Sequence, residues 1–181
     1  MEFTLAKSND DLTQILALQK INLKHANSPE VETDQGFVTV QHDMELISFM
    51  NEAAAHVIAQ DNGRVIGYAL AMTRAFKDKV PALRSMFDML DDLKIENKKL
   101  GDESYIVMGQ ICVDKSYRGQ GVFRNLYKLF FDMYKPVYRN IITEVAARNT
   151  RSLNAHLSVG FEEIYRYEEQ GVEEWVVIIY R

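Results

Sequence analysis

With 181 residues, an apolar fraction of 47% and a charged fraction of 26%, the chain has the composition of a globular protein that buries a substantial core. A net charge of −5 at pH 7 leaves no cationic surplus for bulk nucleic-acid binding and no basic stripe for a membrane surface. The one cysteine, Cys112, permits no intramolecular disulfide, residues 1–7 carry no apolar signal core, and no apolar run reaches bilayer length. The expectation is one domain over residues 1–181 in a reducing, cytoplasmic setting, without nucleic-acid or membrane partner. A homodimer is left open.

In chain order, residues 3–6 read as a short strand. Ser8 or Asn9 caps a helix over about 10–25, with Leu12, Ile15, Leu16, Gln19 and Leu23 at helical spacing. The pattern breaks over 27–39 and resumes as a second helix over about 43–54. Residues 56–60 and 64–72 form a hairpin around Asn62-Gly63, a pair that supplies the positive φ of a tight turn. Residues 75–104 read as a helical insertion between the third and fourth strands, opened by Pro81 and carrying a charged tail over 94–102.

The central strand spans about 105–113. It runs into Asp114-Lys115-Ser116-Tyr117-Arg118-Gly119-Gln120-Gly121, and a helix starts at Val122 with Leu126, Leu129 and Met133 on its stripe. Pro136 ends that helix. A mostly apolar strand follows over 140–147, then a helix from Thr150 capped by Asn149 and closed by Gly160, then a hairpin of 161–168 with 173–180. This order implies an α/β (α+β) fold, a single mixed, largely antiparallel central sheet flanked by helices.

Strand, glycine loop and helix start in succession make an anion site. The first N–H groups of a helix lack internal partners, and glycine lets the main chain approach a ligand closely. The loop has no Walker string, and Arg124 stands where a dinucleotide fingerprint needs its third glycine. Arg118-Gly119-Gln120-Gly121-Val122-Phe123 instead resembles the pyrophosphate loop of the GNAT superfamily of N-acetyltransferases, written Gln/Arg-x-x-Gly-x-Gly/Ala. Phe123 departs from the small last residue. Downstream, Asn149, Ser152, His156 and Gly160-Phe161 resemble the superfamily's second signature, an Asn followed at +3 by Ala or Ser, at +7 by Tyr or His, then Gly-Phe.

The resemblance implies a GNAT-like fold, acetyl-CoA as acyl donor, an amine-bearing acceptor and no metal. It implies the pyrophosphate on the main chain of Gly119, Gln120, Gly121, Val122 and Phe123, with Arg118, Arg124 and Arg151 near other phosphate oxygens; Arg124 and Arg151 read equally as solvated helix surface. It implies the pantetheine arm along the backbone of Ile111, Cys112 and Val113, and Asn149, Ser152 and His156 on one helix face toward the cofactor. Cys112 reads as a packed strand residue rather than a nucleophile. Taken alone, Asn149 reads equally as an N-cap, Ser152 as a small residue at close packing and His156 as an interior histidine. At the family's tyrosine position, His156 is expected to hydrogen-bond the thioester sulfur and donate a proton. Glu144 is the candidate base, with a paired carboxylate as its alternative and Tyr105 and Glu103 as weaker candidates. The acceptor is expected to border residues 27–39 and 75–102, where Asp88, Asp91 and Asp92 would meet a cationic amine. Two function classes remain: an N-acetyltransferase acting by direct attack in a ternary complex, and a non-catalytic acyl-CoA-binding module.

Overall fold

The computed structural model describes residues 1–23, 41–78, 80–169, 171 and 173–181. The segment 27–39, expected to border the acceptor, lies outside them.

Strand β1 (Glu2–Leu5) leads into helix α1 (Asn9–Ile21). A capping box starts α1: Ser8 Oγ accepts the Asp11 N–H at 3.1 Å, and Asp11 Oδ2 accepts the Ser8 N–H at 2.9 Å. Helix α2 (Met44–Ala53) starts at Asp43, whose carboxylate accepts the Leu46 N–H at 2.8 Å. Strands β2 (Val57–Asp61) and β3 (Arg64–Met72) form the expected hairpin, with Asn62 and Gly63 both at positive φ.

The insertion is less helical than its sequence suggests. Two 3₁₀ turns, Arg74–Lys77 and Pro81–Leu83, precede helix α3 (Arg84–Asp92). The charged stretch after it then folds into a small hairpin of β4 (Lys94–Ile95) and β5 (Lys98–Lys99). Glu96 and Asn97 make that turn at φ of 51° and 67°. Neither is glycine, so the usual hairpin signal is absent there.

The remaining elements are β6 (Tyr105–Val113), α4 (Val122–Tyr134), β7 (Asn140–Ala146), α5 (Thr150–Leu157), β8 (Glu162–Glu169) and β9 (Glu173–Tyr180). The main sheet has seven strands in the order β1-β2-β3-β6-β7-β9-β8. Every pairing in it is antiparallel except β6 with β7.

Each face of the sheet carries its own core. On one, Leu12, Ile15 and Leu18 of α1, Ile47 and Met50 of α2, and Phe87 and Leu90 of α3 cover Tyr68, Leu70, Val107 and Ile142. On the other, Val122, Leu126, Tyr127 and Phe130 of α4 cover Ala69, Ile106, Met108, Ile141 and Val145. The buried stripe of α4 therefore runs through its aromatic residues, and Met133, expected on it, is 39% exposed. Gly67 sets how close α4 comes to the sheet. A Cβ there would lie 3.2 Å from Val122 Cγ1, Leu126 Cδ1 and the Cys112 carbonyl oxygen. The first turn of α4 thus sits directly on β3, beside the end of β6.

Candidate active site

β6 and β7 pair only over Tyr105–Val107 and Asn140–Ile142. Beyond that point β6 stays with β3 as far as Val113, opposite Gly67, while β7 stays with β9 as far as Ala146, opposite Trp175. Two strands that stop sharing hydrogen bonds, each held by another neighbour, must part. The result is a wedge between residues 108–113 and 143–146. A bulge adds to it: Leu70 faces Gln110 and Ala71 faces Met108, so Gly109 is an extra residue that bends β6.

A cleft of about 290 Å³ lies on the α4–α5 side of this wedge. Ile111, Cys112 and Val113 form one wall, Gly119, Gly121, Val122, Phe123 and Arg124 another, and Asn149, Arg151, Ser152, Ala155, Ser158 and Val159 a third. Gly119 and Gly121 adopt φ of 76° and 80°, the left-handed region that other residues enter only at a cost. Gly121 is the N-cap of α4 and supplies no side-chain cap. The first N–H groups of α4 are therefore left for a ligand, at the positive end of the helix dipole.

Arg118 is tied into this wall. Its Nε donates to the Val113 carbonyl at 3.1 Å and one terminal nitrogen donates to Asn22 Oδ1 at 2.9 Å. Burial lowers the pKa of its guanidinium, and the charge of Arg151 pushes the same way. Two cations close enough to disfavour one another make a cleft that gains from an anion. Gln120 stands apart, exposed, with its side chain donating back to the Ser116 carbonyl at 2.9 Å.

Cys112 is 6% exposed, and burial pushes its thiol up to about 12, which removes the thiolate a nucleophile needs. Asn149 caps α5: its Oδ1 accepts the Ser152 N–H at 3.3 Å, and the side chain also lines the cleft. The two readings of Asn149 therefore coexist.

His156 is placed differently from the expectation. It is 1% exposed and does not line the cleft. Its ring packs edge-on against Phe123, Tyr127 and Phe161 at centroid distances of 5.3, 5.4 and 5.6 Å. Nδ1 lies 2.7 Å from the Ser152 carbonyl oxygen. Burial drives the imidazole down to about 4, so it is neutral at pH 7. His156 thus sits beneath the floor on which Ser152 and Ala155 stand. Phe123, the departure from the loop pattern, has its reason here, because its ring covers the imidazole and closes that floor.

Glu144 stands on the opposite face. Along β7, Ile141 and Val145 pack toward α4, whereas Ile142 packs toward α1, so alternation carries Glu144 to the α1 side. It is half-buried, and its Oε2 accepts the Tyr167 hydroxyl of β8 at 3.1 Å. Tyr105 and Glu103 lie at the far end of β6. Tyr105 donates to Asp91 at 2.7 Å, and Glu103 accepts from Asn140 at 2.9 Å. The acids of α3 are likewise engaged within the insertion. Asp88 meets Lys77 at 2.6 Å, Asp91 meets Arg74 and Lys77 at 2.9 Å, and Asp92 meets Lys99 at 2.8 Å.

Sequence reasoning missed Asn22, Tyr117, Ala155, Ser158 and Val159 in the cleft wall. Ala155, Ser158 and Val159 were within reach, since they lie at helical steps from Ser152. Asn22 was not, because its partner Arg118 is 96 residues away.

The residues present fit an acyl-CoA. A glycine main chain and an uncapped helix start suit a pyrophosphate. The side of residues 108–113 that β7 does not pair offers peptide groups to an amide-rich arm. No group of His, Cys, Asp and Glu among the described residues is arranged to hold a metal ion. No helix among them is long and apolar enough to cross a membrane.

No curated protein matches the sequence. Solved structures match over nearly its whole length. A Streptococcus mutans UA159 protein, smu.2055, superposes with a TM-score of 0.68 at 14% identity, covering 99% of this chain and 98% of the other. The ribosomal-protein-alanine N-acetyltransferase of Brucella melitensis gives 0.64 at 18% identity, covering 99% of each chain. Arabidopsis thaliana Naa50, in complex with the bisubstrate analogue CoA-Ac-MVNAL, gives 0.64 at 16% identity, covering 100% of this chain and 99% of the other. At such identities these likenesses show the fold. The family model of the Acetyltransferase (GNAT) family matches residues 19–161, spanning both the glycine loop and the Asn149 helix. The chain belongs to the Acetyltransferase (GNAT) family.

Proposed function

We propose that the protein transfers acetyl to a primary amine by direct attack in a ternary complex, with Glu144 as the base. The observation that carries this reading is the wedge between β6 and β7. The anion-binding cleft opens on one face of the sheet, and Glu144 stands on the other, both beside the same unpaired stretch of β6.

Acetyl-CoA supplies an activated thioester whose carbonyl the amine attacks; the carbon–sulfur bond breaks and coenzyme A leaves as the thiolate, which takes a proton from solvent. The loop 119–123 and Arg118 hold the anionic end, and the backbone of Ile111, Cys112 and Val113 aligns the arm with the wedge. Asn149 and Ser152 shape the wall beside it. Glu144 accepts the proton that the amine must lose, and the Tyr167 hydroxyl orients the carboxylate. A thiol with a pKa near ~8.5 is a fair leaving group without a dedicated acid, so a neutral, buried His156 is no obstacle. We assign His156 to the packing beneath the floor of the cleft.

Peptide α-amines are the first acceptors to test. Structural neighbours include a ribosomal-protein-alanine N-acetyltransferase and a Naa50 holding a CoA–peptide conjugate. The test is thiol release from acetyl-CoA with a panel of peptides, polyamines, amino acids and aminoglycosides, read together with the mass of the product. An acetylated amine supports the proposal. Tight acetyl-CoA binding with no transfer to any amine would replace it with a non-catalytic acyl-CoA-binding module.

A further inference from the structure

A buried polar cluster lies on the α1 face of the sheet, next to the wedge. Gln19 of α1 is 1% exposed. Its Oε1 accepts the backbone N–H of His42 at 2.8 Å. A main-chain N–H can only donate, so this contact fixes which end of the amide is oxygen. The Nε2 end then has two hydrogens to give. One goes to His42 Nδ1 at 2.8 Å and the other to Gln110 Oε1 at 2.6 Å. Gln110 Oε1 also accepts the hydroxyl of fully buried Tyr68 at 2.7 Å. With its oxygen taken by two donors, the Gln110 amide has one orientation.

The cluster sits where the mechanism needs a fixed wall. Gln110 follows the bulged Gly109 and lies beyond Val107, the last residue of β6 paired with β7. Cys112, two residues on, packs into the core on the α1 face, and alternation puts Gln110 there with it. Counting the bulge, Gln110 stands three residues past Val107, as Glu144 stands two past Ile142. The two side chains therefore border the wedge from opposite strands on the same face. His42, tied to Gln19 through both backbone and ring, stands directly before α2. A leucine or methionine would fill the volume of Gln19 at no desolvation cost. A buried amide there specifies direction as well as volume.

We propose that Gln19 is a positioning residue for the acceptor, holding Gln110 and His42 as the wall that faces Glu144. This rests on the reading of the Glu144 face as the acceptor side. The cofactor cleft is on the other face, so Gln19 serves acceptor binding and leaves coenzyme A binding alone.

The test compares two probes by calorimetry: coenzyme A alone, and coenzyme A joined through an acetyl linker to the α-amine of a pentapeptide. The wild type is expected to bind the conjugate more tightly. Gln19→Leu is expected to lose about tenfold on the conjugate and less than about twofold on coenzyme A. Tyr68→Phe removes only one donor to Gln110, keeps its volume, and is expected to lose about threefold on the conjugate alone. Ile15→Val, a fully buried change on the same helix, is expected to lower stability and leave both affinities unchanged. Equal losses on both probes, or none, in Gln19→Leu and Tyr68→Phe would overturn the inference while leaving the amine acceptor standing. A wild type that gains nothing from the peptide would overturn the peptide-acceptor reading and this inference with it.

Discussion

His156 Nδ1 lies 2.7 Å from the carbonyl oxygen of Ser152, one turn earlier on the same helix. A carbonyl only accepts, so Nδ1 carries the ring's proton and Nε2 is left with a lone pair. Burial keeps the ring neutral by driving its pKa down to about 4. An imidazole in this state has no proton to give a departing thiolate. His156→Phe is therefore expected to leave the shape of the pH–rate profile between about pH 6 and 8 unchanged. A limb lost from that range in the variant would return the proton-donor role to His156.

The same burial makes the fold acid-sensitive. His156 and His56 are 1% and 0% exposed, with folded pKa values near 4 and 3 against about 6.5 in the unfolded chain. Their folded values are depressed, so at pH above 6.5 neither state binds the proton and nothing is lost. As pH falls below 6.5 the unfolded chain takes up protons that the folded one refuses, and stability drops. Each histidine contributes about 1.4 kcal/mol per pH unit across that window. Urea unfolding at pH 7 and pH 5 is expected to show the loss, and His156→Phe is expected to reduce it.

Gly67 is expected to be the least replaceable residue of β3. Its missing Cβ would stand 3.2 Å from a main-chain oxygen and two packed side chains, and the backbone cannot yield as a flexible side chain can. Gly67→Ala should cost about 1–3 kcal/mol in urea unfolding. Because the displaced element is the first turn of α4, acetyl-CoA affinity should fall as well.

Tyr167 donates to Glu144 from the neighbouring hairpin at 3.1 Å. A donor to a carboxylate favours its charged form, so Tyr167→Phe is expected to raise the acidic limb of the pH–rate profile. The rate at high pH should fall only about threefold to tenfold, since the base itself remains.

What was legible in the sequence was what local chemistry writes. Asn62-Gly63 announced its turn, Ser8 or Asn9 the start of the first helix, and Gly119 and Gly121 a loop whose main chain a ligand can approach closely. The two family signatures lie on two of the three walls of the cleft. What was hidden depended on depth or distance. The spacing of Asn149, Ser152 and His156 gives a shared helix face, yet His156 lies below the surface that the other two line. Asp88, Asp91 and Asp92 looked available for a cation until the fold brought Arg74, Lys77 and Lys99 to them. The Gln19–Gln110 contact joins residues 91 apart; Gln19 shows itself only as a polar residue on the apolar stripe of the first helix, and nothing local marks Gln110.

The most direct test of the account is the pH–rate profile of Glu144→Gln beside the wild type, taken once an amine acceptor is in hand and with acetyl-CoA affinity measured for both. Loss of a general base is expected to lower kcat by about a hundredfold or more and to abolish the acidic limb, with acetyl-CoA affinity unchanged. A variant that keeps both its rate and its acidic limb would contradict Glu144 as the base and the two-sided wedge built around it.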